Sequence, residues 1–208
     1  MTKLTDETYR RIQRAAGLIQ RAQQAVALTG AGFSTPSGIP DFRSEGSGLW
    51  TRFDPMEVAS LSAFRHHPDQ FFQWLRPLVL QLVSALPNPA HLALARLEQF
   101  GFIHTVITQN IDGLHFRAGS KNLLELHGTM NSLTCVRCYR QFSSAGLIDN
   151  YLEFGTIPRC SECNGILKPD VILFEEQLPV QTWMKAEQAC KTCDLMLIAG
   201  TSLEVVPS

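Results

Sequence analysis

Apolar positions along this chain follow two rhythms. Short solid runs at residues 25–28, 102–108, 123–126, 171–174 and 194–199 have the length and continuity of buried strands. Helical spacing fills much of the rest. In residues 6–23, Ile12, Ala15, Ala16, Ile19 and Ala22 share one face, and Thr5 precedes them as a cap. Residues 76–100 read as helical, with a break and fresh start at Pro87-Asn88-Pro89, and residues 183–191 as a further helix. Strands alternating with helices predict an α/β chain built on a doubly wound parallel sheet. Residues 44–75 form a long connection carrying Trp50, Phe53, Phe64, Phe71 and Phe72, the kind of segment that serves as a lid or binding loop.

Composition narrows the class. Apolar residues make up 45% of the chain, enough for a sizeable core, and the net charge is −1 with no block of Lys or Arg. A nucleic-acid groove or an anionic membrane is therefore not an expected partner. No apolar run is long enough to span a bilayer and the first residues lack a signal-peptide core, so the expected location is cytoplasmic.

Candidate chemistry begins where the first strand ends. Gly30 and Gly32 in Thr29-Gly30-Ala31-Gly32-Phe33-Ser34 let the backbone turn sharply and approach a pyrophosphate, with a helix N-terminus expected just beyond. Taken alone, this pattern also fits a plain strand-to-helix turn. It departs from the dinucleotide fingerprint, because Thr35 stands at the third glycine and Pro36 follows it, and Pro36 and Pro40 suggest an extended loop there.

All six cysteines fall in Cys-x-x-Cys pairs. Cys135/Cys138 and Cys160/Cys163 could together supply four thiolates to one tetrahedral Zn²⁺, leaving no open position and making the metal structural. The alternative is two redox pairs. Cys190 and Cys193 read as partly buried residues on a helix. His127 closes the third strand and is followed by Gly128, which places an imidazole at the crevice where open α/β sheets bind ligands. His91 and His115 read as structural and His66 and His67 as exposed. Asn110 and Asp112 close the second strand as hydrogen-bonding groups or turn caps.

Gly30-Ala31-Gly32-x-Ser34 followed by Gly38-Ile39-Pro40-Asp41-Phe42-Arg43 resembles the first signature of the sirtuins, the NAD-dependent protein deacylases. Further segments match that family in order: residues 108–115 (Thr-Gln-Asn-Ile-Asp-Gly-Leu-His), Glu125-Leu126-His127-Gly128, the two Cys pairs, and Gly200-Thr201-Ser202-Leu203. The resemblance implies a Rossmann-like domain over residues 1–43, 76–131 and 168–208, a cofactor loop and helical segment at 44–75, and a structural zinc module at 132–167. It implies NAD held by Gly30, Ala31, Gly32, Ser34, Asp41, Phe42, Arg43, Gln109, Asn110, Ile111, Asp112, Gly200, Thr201 and Ser202. His127 would be the catalytic base and Asn110 a second catalytic residue.

The implied reaction removes an acyl group from lysine, releasing nicotinamide and O-acyl-ADP-ribose. An acyl-lysine protein or peptide is expected to be held as a strand between Val171, Ile172, Leu173 and Phe174 on one side and the segment near Leu203 to Val205 on the other. Where the family often has glycine after that phenylalanine, this chain has Glu175. No Tyr/Arg pair of the kind that receives acidic acyl groups occurs in residues 44–75, which favours a neutral acyl group. The family continues beyond Leu203 with a strand and helices, whereas the sequence stops at Ser208, so either a fragment or a shortened form is expected, with a weakened hold on adenosine. Mono-ADP-ribosyl transfer and a non-catalytic NAD-binding scaffold are the alternatives.

Overall fold

The computed structural model describes residues 5–204 except Arg43, Glu45 and Ser47. Strand β1 (Ala25–Thr29) lies at the centre of a parallel sheet, between β2 (Thr105–Thr108) and an edge strand (Leu195–Ala199), and β3 (Leu123–Glu125) flanks β2. Every residue of β1 and β2 is buried, because helices cover both faces. Ala25, Ala27 and Val106 pack against Leu94 and Leu97 of one helix (Pro89–Gln99). Val26, Leu28 and Ile107 pack on the opposite face against Trp183, Ala186 and Ala189 of another (Val180–Thr192). This is the expected doubly wound α/β arrangement.

Element boundaries follow local chemistry. Helix α1 (Asp6–Arg21) starts where Thr5 accepts the Thr8 amide and stops short of residue 23. There the Asp194 carboxylate takes the amides of Gln23 and Gln24 and turns the chain into β1. Strand β2 begins at Thr105, not at residue 102. The preceding helix ends in a left-handed Gly101 (φ 77°), with Gly101 N–H donating to Glu98 and Phe102 N–H to Leu97, a pattern that uses up residues 100–102 as a cap.

The connection at 44–75 is largely helical. Asp54 caps α2 (Pro55–Val58), Ser60 caps α3 (Leu61–His66), and Pro68 opens α4 (Pro68–Ser84), which carries Pro77 within it. Helix α4 supplies Phe71, Phe72, Leu75, Leu78, Val79 and Leu82 to the largest apolar cluster. In chain order the next helices are α5 (Pro89–Gln99), α6 (Leu114–Ala118), α7 (Ile148–Phe154) and α8 (Val180–Thr192).

A second, antiparallel sheet has β4 (Gly128–Cys135) between β5 (Gln141–Ser143) and β6 (Leu167–Val171), which makes the edge strand of the parallel sheet β7. The expected strand at 171–174 is thus corrected. The strand ends at Val171, and residues 172–174 are an irregular segment whose one bridge joins Phe174 to Ser60. Pro169 sits inside β6 opposite Leu133.

Candidate active site

Two cavities open beside the carboxyl ends of β1, β2 and β7, and Phe42, Gln109 and His127 line both. One, of about 610 Å³, is walled by Trp50, Phe71, Trp74, Leu75 and Leu78 and reaches the segment 171–178. The other, of about 530 Å³, is lined by Ala31, Gly32, Asp41, Asn110, Gly200, Thr201 and Ser202. An apolar chamber and a polar chamber therefore meet at one imidazole.

His127 is held at that junction by backbone. Leu126 N–H still donates to Thr108, continuing the sheet, and Gly128 then turns the chain at φ 76°. A Cβ at Gly128 would stand 2.0 Å from the Asp170 carbonyl oxygen, so the turn admits only glycine. His127 Nδ1 lies 2.9 Å from the Gln109 carbonyl oxygen. A carbonyl only accepts, so Nδ1 carries the proton and Nε2 is left with a free lone pair. Burial lowers the pKa of this histidine, and the Gln109 carbonyl partly offsets the fall.

Gln109 and Asn110 extend β2 into the polar chamber. Gln109 Oε1 accepts from the Thr201 hydroxyl at 2.8 Å, while Gln109 Nε2 is buried with no partner. Gln109 lines this chamber, and an unsatisfied donor on a residue beside it fits a ligand rich in oxygen acceptors, as NAD is. Asn110 Nδ2 donates to the Gly30 carbonyl and to Ser34 Oγ, both at 3.1 Å, and the Ser34 hydroxyl donates to Asp112 Oδ2 at 2.6 Å. Asp112 Oδ1 accepts the Leu114 amide, and Asp112 lines neither chamber.

Behind Ser34, His91 and His115 are fully buried against Phe33. Burial lowers both pKa values, that of His115 to about 4, so the pair is neutral near pH 7. Both lie away from the two chambers, and His66 and His67 are exposed, as expected.

The glycines of the first turn act differently from the expectation. Two 3₁₀ turns, Ala31–Phe33 and Thr35–Ser37, stand where a helix start would offer its amides, in the stretch where Pro36 and Pro40 suggest a loop. A Cβ on Gly30 would come within 2.6 Å of Thr201 Cβ, and one on Gly32 within 3.1 Å of Gly200 Cα. Gly30 N–H donates to Ala199 and Gly32 N–H to Gly200. The bare backbone lets β1 and β7 close on each other at the chamber's edge, while Ala31 and Gly32 still line it.

Asp41 and Phe42 lead into residues 44–75, and Arg43, like Val205, lies outside the described residues. Leu49 N–H and Trp50 N–H donate to the carbonyls of Asp41 and Phe42. The Phe42 ring stacks on Trp50 at 5.2 Å, and Trp50 on Trp74 at 6.2 Å. Ile111 completes the apolar wall beside His127.

Among the substrate candidates, Val171 and Leu173 are buried, Ile172 is half-buried and Phe174 is exposed. Their amides are occupied: Ile172 donates to the His127 carbonyl, Leu173 to Glu176 Oε2 and Phe174 to the Ala59 carbonyl. Pairing with an incoming strand is left to the next residues. The amides of Glu175, Gln177 and Leu178 have no partner among the described residues, and all three line the apolar chamber.

The comparisons with known proteins agree with this geometry. The family model described as the Sir2 family matches residues 30–207. The chain belongs to the Sir2 family. It is 44% identical over 198 residues to the NAD-dependent protein deacylase 2 of Archaeoglobus fulgidus, covering 95% of this chain and 77% of that protein. It is 46% identical over 196 residues to the NAD-dependent protein deacetylase of Sulfolobus acidocaldarius, covering 94% and 76%. A solved Sir2 structure bound to a propionylated peptide superposes with a TM-score of 0.83 at 36% identity, covering 95% of this chain and 78% of that one.

The Sir2 chain also carries a four-sulfur cluster. The Sγ atoms of Cys135, Cys138, Cys160 and Cys163 all lie within 4.8 Å of one another, with Cys135 and Cys163 at 3.4 Å and Cys138 and Cys160 at 3.6 Å. A tetrahedron with metal–sulfur bonds of about 2.3 Å has edges of about 3.8 Å, so the donor set fits zinc. Backbone amides of Arg137 and Cys138 point at Cys135 Sγ, and a Cβ on Gly165 would be 2.8 Å from the same sulfur. Cys190 and Cys193 stand apart from this cluster. Cys190 is exposed rather than partly buried, and Cys193 Sγ donates to its carbonyl.

Some participants carry no motif in the sequence. Trp50 and Trp74 become chamber walls only through stacking, and Trp183 through α8. The spacing 71, 74, 75, 78 is the one available signal, and it reads equally as core. Glu125, half-buried and within reach of the Asp112 charge, has its pKa raised to about 7, chiefly by desolvation.

Proposed function

We propose that this Sir2-family chain is an NAD-dependent protein-lysine deacylase acting on neutral acyl groups. The observation that carries the reading is the meeting of an apolar and a polar chamber at His127. In the proposed reaction acyl-lysine, NAD and water give lysine, nicotinamide and O-acyl-ADP-ribose. NAD, when bound, supplies an electrophilic ribose carbon with nicotinamide as leaving group.

The chain's own residues have assignable tasks in this reading. We assign Gln109 and Asn110 to hydrogen bonds with the cofactor between Ala31–Gly32 and Gly200–Ser202, in the chamber that Asp41 also lines. Asp112 and Ser34 hold Asn110 in position, and Ile111 and Phe42 exclude water from the junction. His127 Nε2, the free base, accepts a proton from a hydroxyl placed between the chambers. The acyl-lysine enters past Val171, Ile172, Leu173 and Phe174, and its backbone pairs with the open edge at residues 175–178. No charged group lines the inner wall formed by Trp50, Phe71, Trp74, Leu75 and Leu78, which favours neutral acyl chains.

We assign residues 132–167 to a structural zinc module and residues 44–75 to a cofactor-covering segment. No single helix among the described residues is long and apolar enough to cross a membrane. The reduced four-thiol cluster suits a cytoplasmic setting. Mass spectrometry of an acetyl-lysine peptide incubated with this chain and NAD tests the function. Loss of acetyl with matching acetyl-ADP-ribose supports it, and ADP-ribose on protein without deacylation overturns it.

A further inference from the structure

Glu175 is a non-glycine residue in left-handed backbone (φ 73°) at the rim of the apolar chamber. A side chain there is strained, so its retention calls for a compensating contact. That contact is with the first turn of α3. Three donors open this helix, and each has a partner. Leu61 N–H donates to the Phe174 carbonyl at 3.0 Å, Ser62 N–H to Glu175 Oε2 at 2.8 Å, and Ala63 N–H to Ser60 Oγ at 3.0 Å. Two of the three partners come from the chamber rim. Phe174 N–H returns a bond to Ala59, so the rim and the cofactor-covering segment are zipped together over residues 59–62 and 174–175.

The next residue holds the other side. Glu176 Oε2 is 2.8 Å from Lys168 Nζ and also accepts the Leu173 amide, and both charged side chains are largely shielded. Lys168 Nζ donates in addition to the carbonyls of Pro169 and Val171. Adjacent carboxylates thus fasten the rim in opposite directions, one to α3 and one to β6. The open amides of Glu175, Gln177 and Leu178 lie on the backbone these two side chains fix.

We propose that Glu175 is a positioning residue for the acyl-peptide: its carboxylate latch on Ser62 sets the backbone edge with which the substrate strand pairs. This rests on the deacylase reading and goes beyond it. Glycine at this position would relieve the strain and lose the latch, which separates positioning from stability.

The test compares wild type with Glu175→Gly, Glu175→Gln and Glu175→Ala, reading thermal midpoint, KM for acetyl-lysine peptide, KM for NAD, and anisotropy of a labelled acetyl-lysine peptide. For Glu175→Gly the expected result is an unchanged or raised midpoint and a rise in peptide KM on the order of tenfold, the scale of one hydrogen bond to a charged group. NAD KM should hold within about twofold, since the latch does not border the polar chamber. Glu175→Gln, which keeps an acceptor oxygen, should recover part of the peptide affinity, and Glu175→Ala should lose both affinity and stability. Wild-type peptide KM and anisotropy in Glu175→Gly overturn the latch while leaving the deacylase reading intact. A wild-type chain that neither binds the peptide nor turns it over overturns both.

Discussion

The imidazole of His127 and the main-chain carbonyl of Gln109 are joined by a 2.9 Å hydrogen bond that fixes which ring nitrogen is basic. Gln109 also lines the polar chamber with a side-chain amide that has no partner, so in the proposed reading one residue orients the base and serves the cofactor. The end of β2 therefore organises both halves of the proposed reaction.

His127 sets a prediction on pH. Its folded pKa lies below 6.5, with burial as the main cause, and the neutral form is the active base. Deacylation should be level through neutral pH and fall only as acid protonates the ring, with the acid limb of kcat/KM below 6.5. His127→Ala should lose about 10²–10⁴ in kcat while the anisotropy of bound peptide is retained. An acid limb well above 6.5 would count against His127 as the group titrating.

Glu125 predicts a pH dependence of stability. Its carboxyl is raised from 4.5 to about 7, mainly by desolvation and next by the Asp112 charge. The folded state therefore holds this proton more tightly than the unfolded chain. The associated stability is complete below 4.5 and is lost as pH rises toward 7. The wild-type thermal midpoint, compared with that of Glu125→Gln, should fall behind across that window and level off above it. A constant difference from pH 4 to pH 8 would refute the assignment.

Glycine substitutions separate close approach from strain. Gly30→Ala drives a methyl into Thr201 and the Gly200 carbonyl, and should cost about 2–3 kcal/mol together with NAD affinity. Gly38→Ala meets open space but keeps φ 86°, and should cost about 1 kcal/mol with NAD affinity intact. Urea unfolding and NAD titration of both variants check the pair.

The cysteine cluster predicts one zinc per chain by elemental analysis. A strong chelator, or Cys135→Ser, should unfold the small sheet and broaden or lower the thermal transition. Cys190→Ser should change neither zinc content nor the midpoint, since that thiol lies outside the cluster. Full stability without zinc would contradict a structural role.

Much of this molecule was readable from residue order, and the exceptions have physical causes. Two-sided burial made β1 and β2 visible as solid apolar runs. His127 was legible because a histidine before glycine ends a strand, and the sulfur cluster because two Cys-x-x-Cys turns need one another. Strand β6 was misplaced because Pro169 argues against a strand, yet β6 is an edge strand, where Pro169 can lie opposite Leu133, and Leu167, Pro169 and Val171 are its buried positions. The start of β2 was misread because Gly101 ends α5 with a cap that uses Phe102. The short helices at 55–66 hide in sequence because each is about one turn long and rests on a single cap. The close fit of Gly30 against Thr201 was not legible because that partner lies 171 residues away in the chain. The aromatic stack of Phe42, Trp50 and Trp74 and the raised pKa of Glu125 depend on tertiary neighbours that no local pattern names.

The central claim is that NAD and acyl-lysine react across His127 from two adjoining chambers. Its most direct test is to count nicotinamide released against acyl groups removed, with and without acetyl-lysine peptide. The account predicts one nicotinamide per acetyl group removed, and almost none without peptide. Acetyl removal without NAD, or nicotinamide release at the same rate whether or not peptide is present, would contradict it.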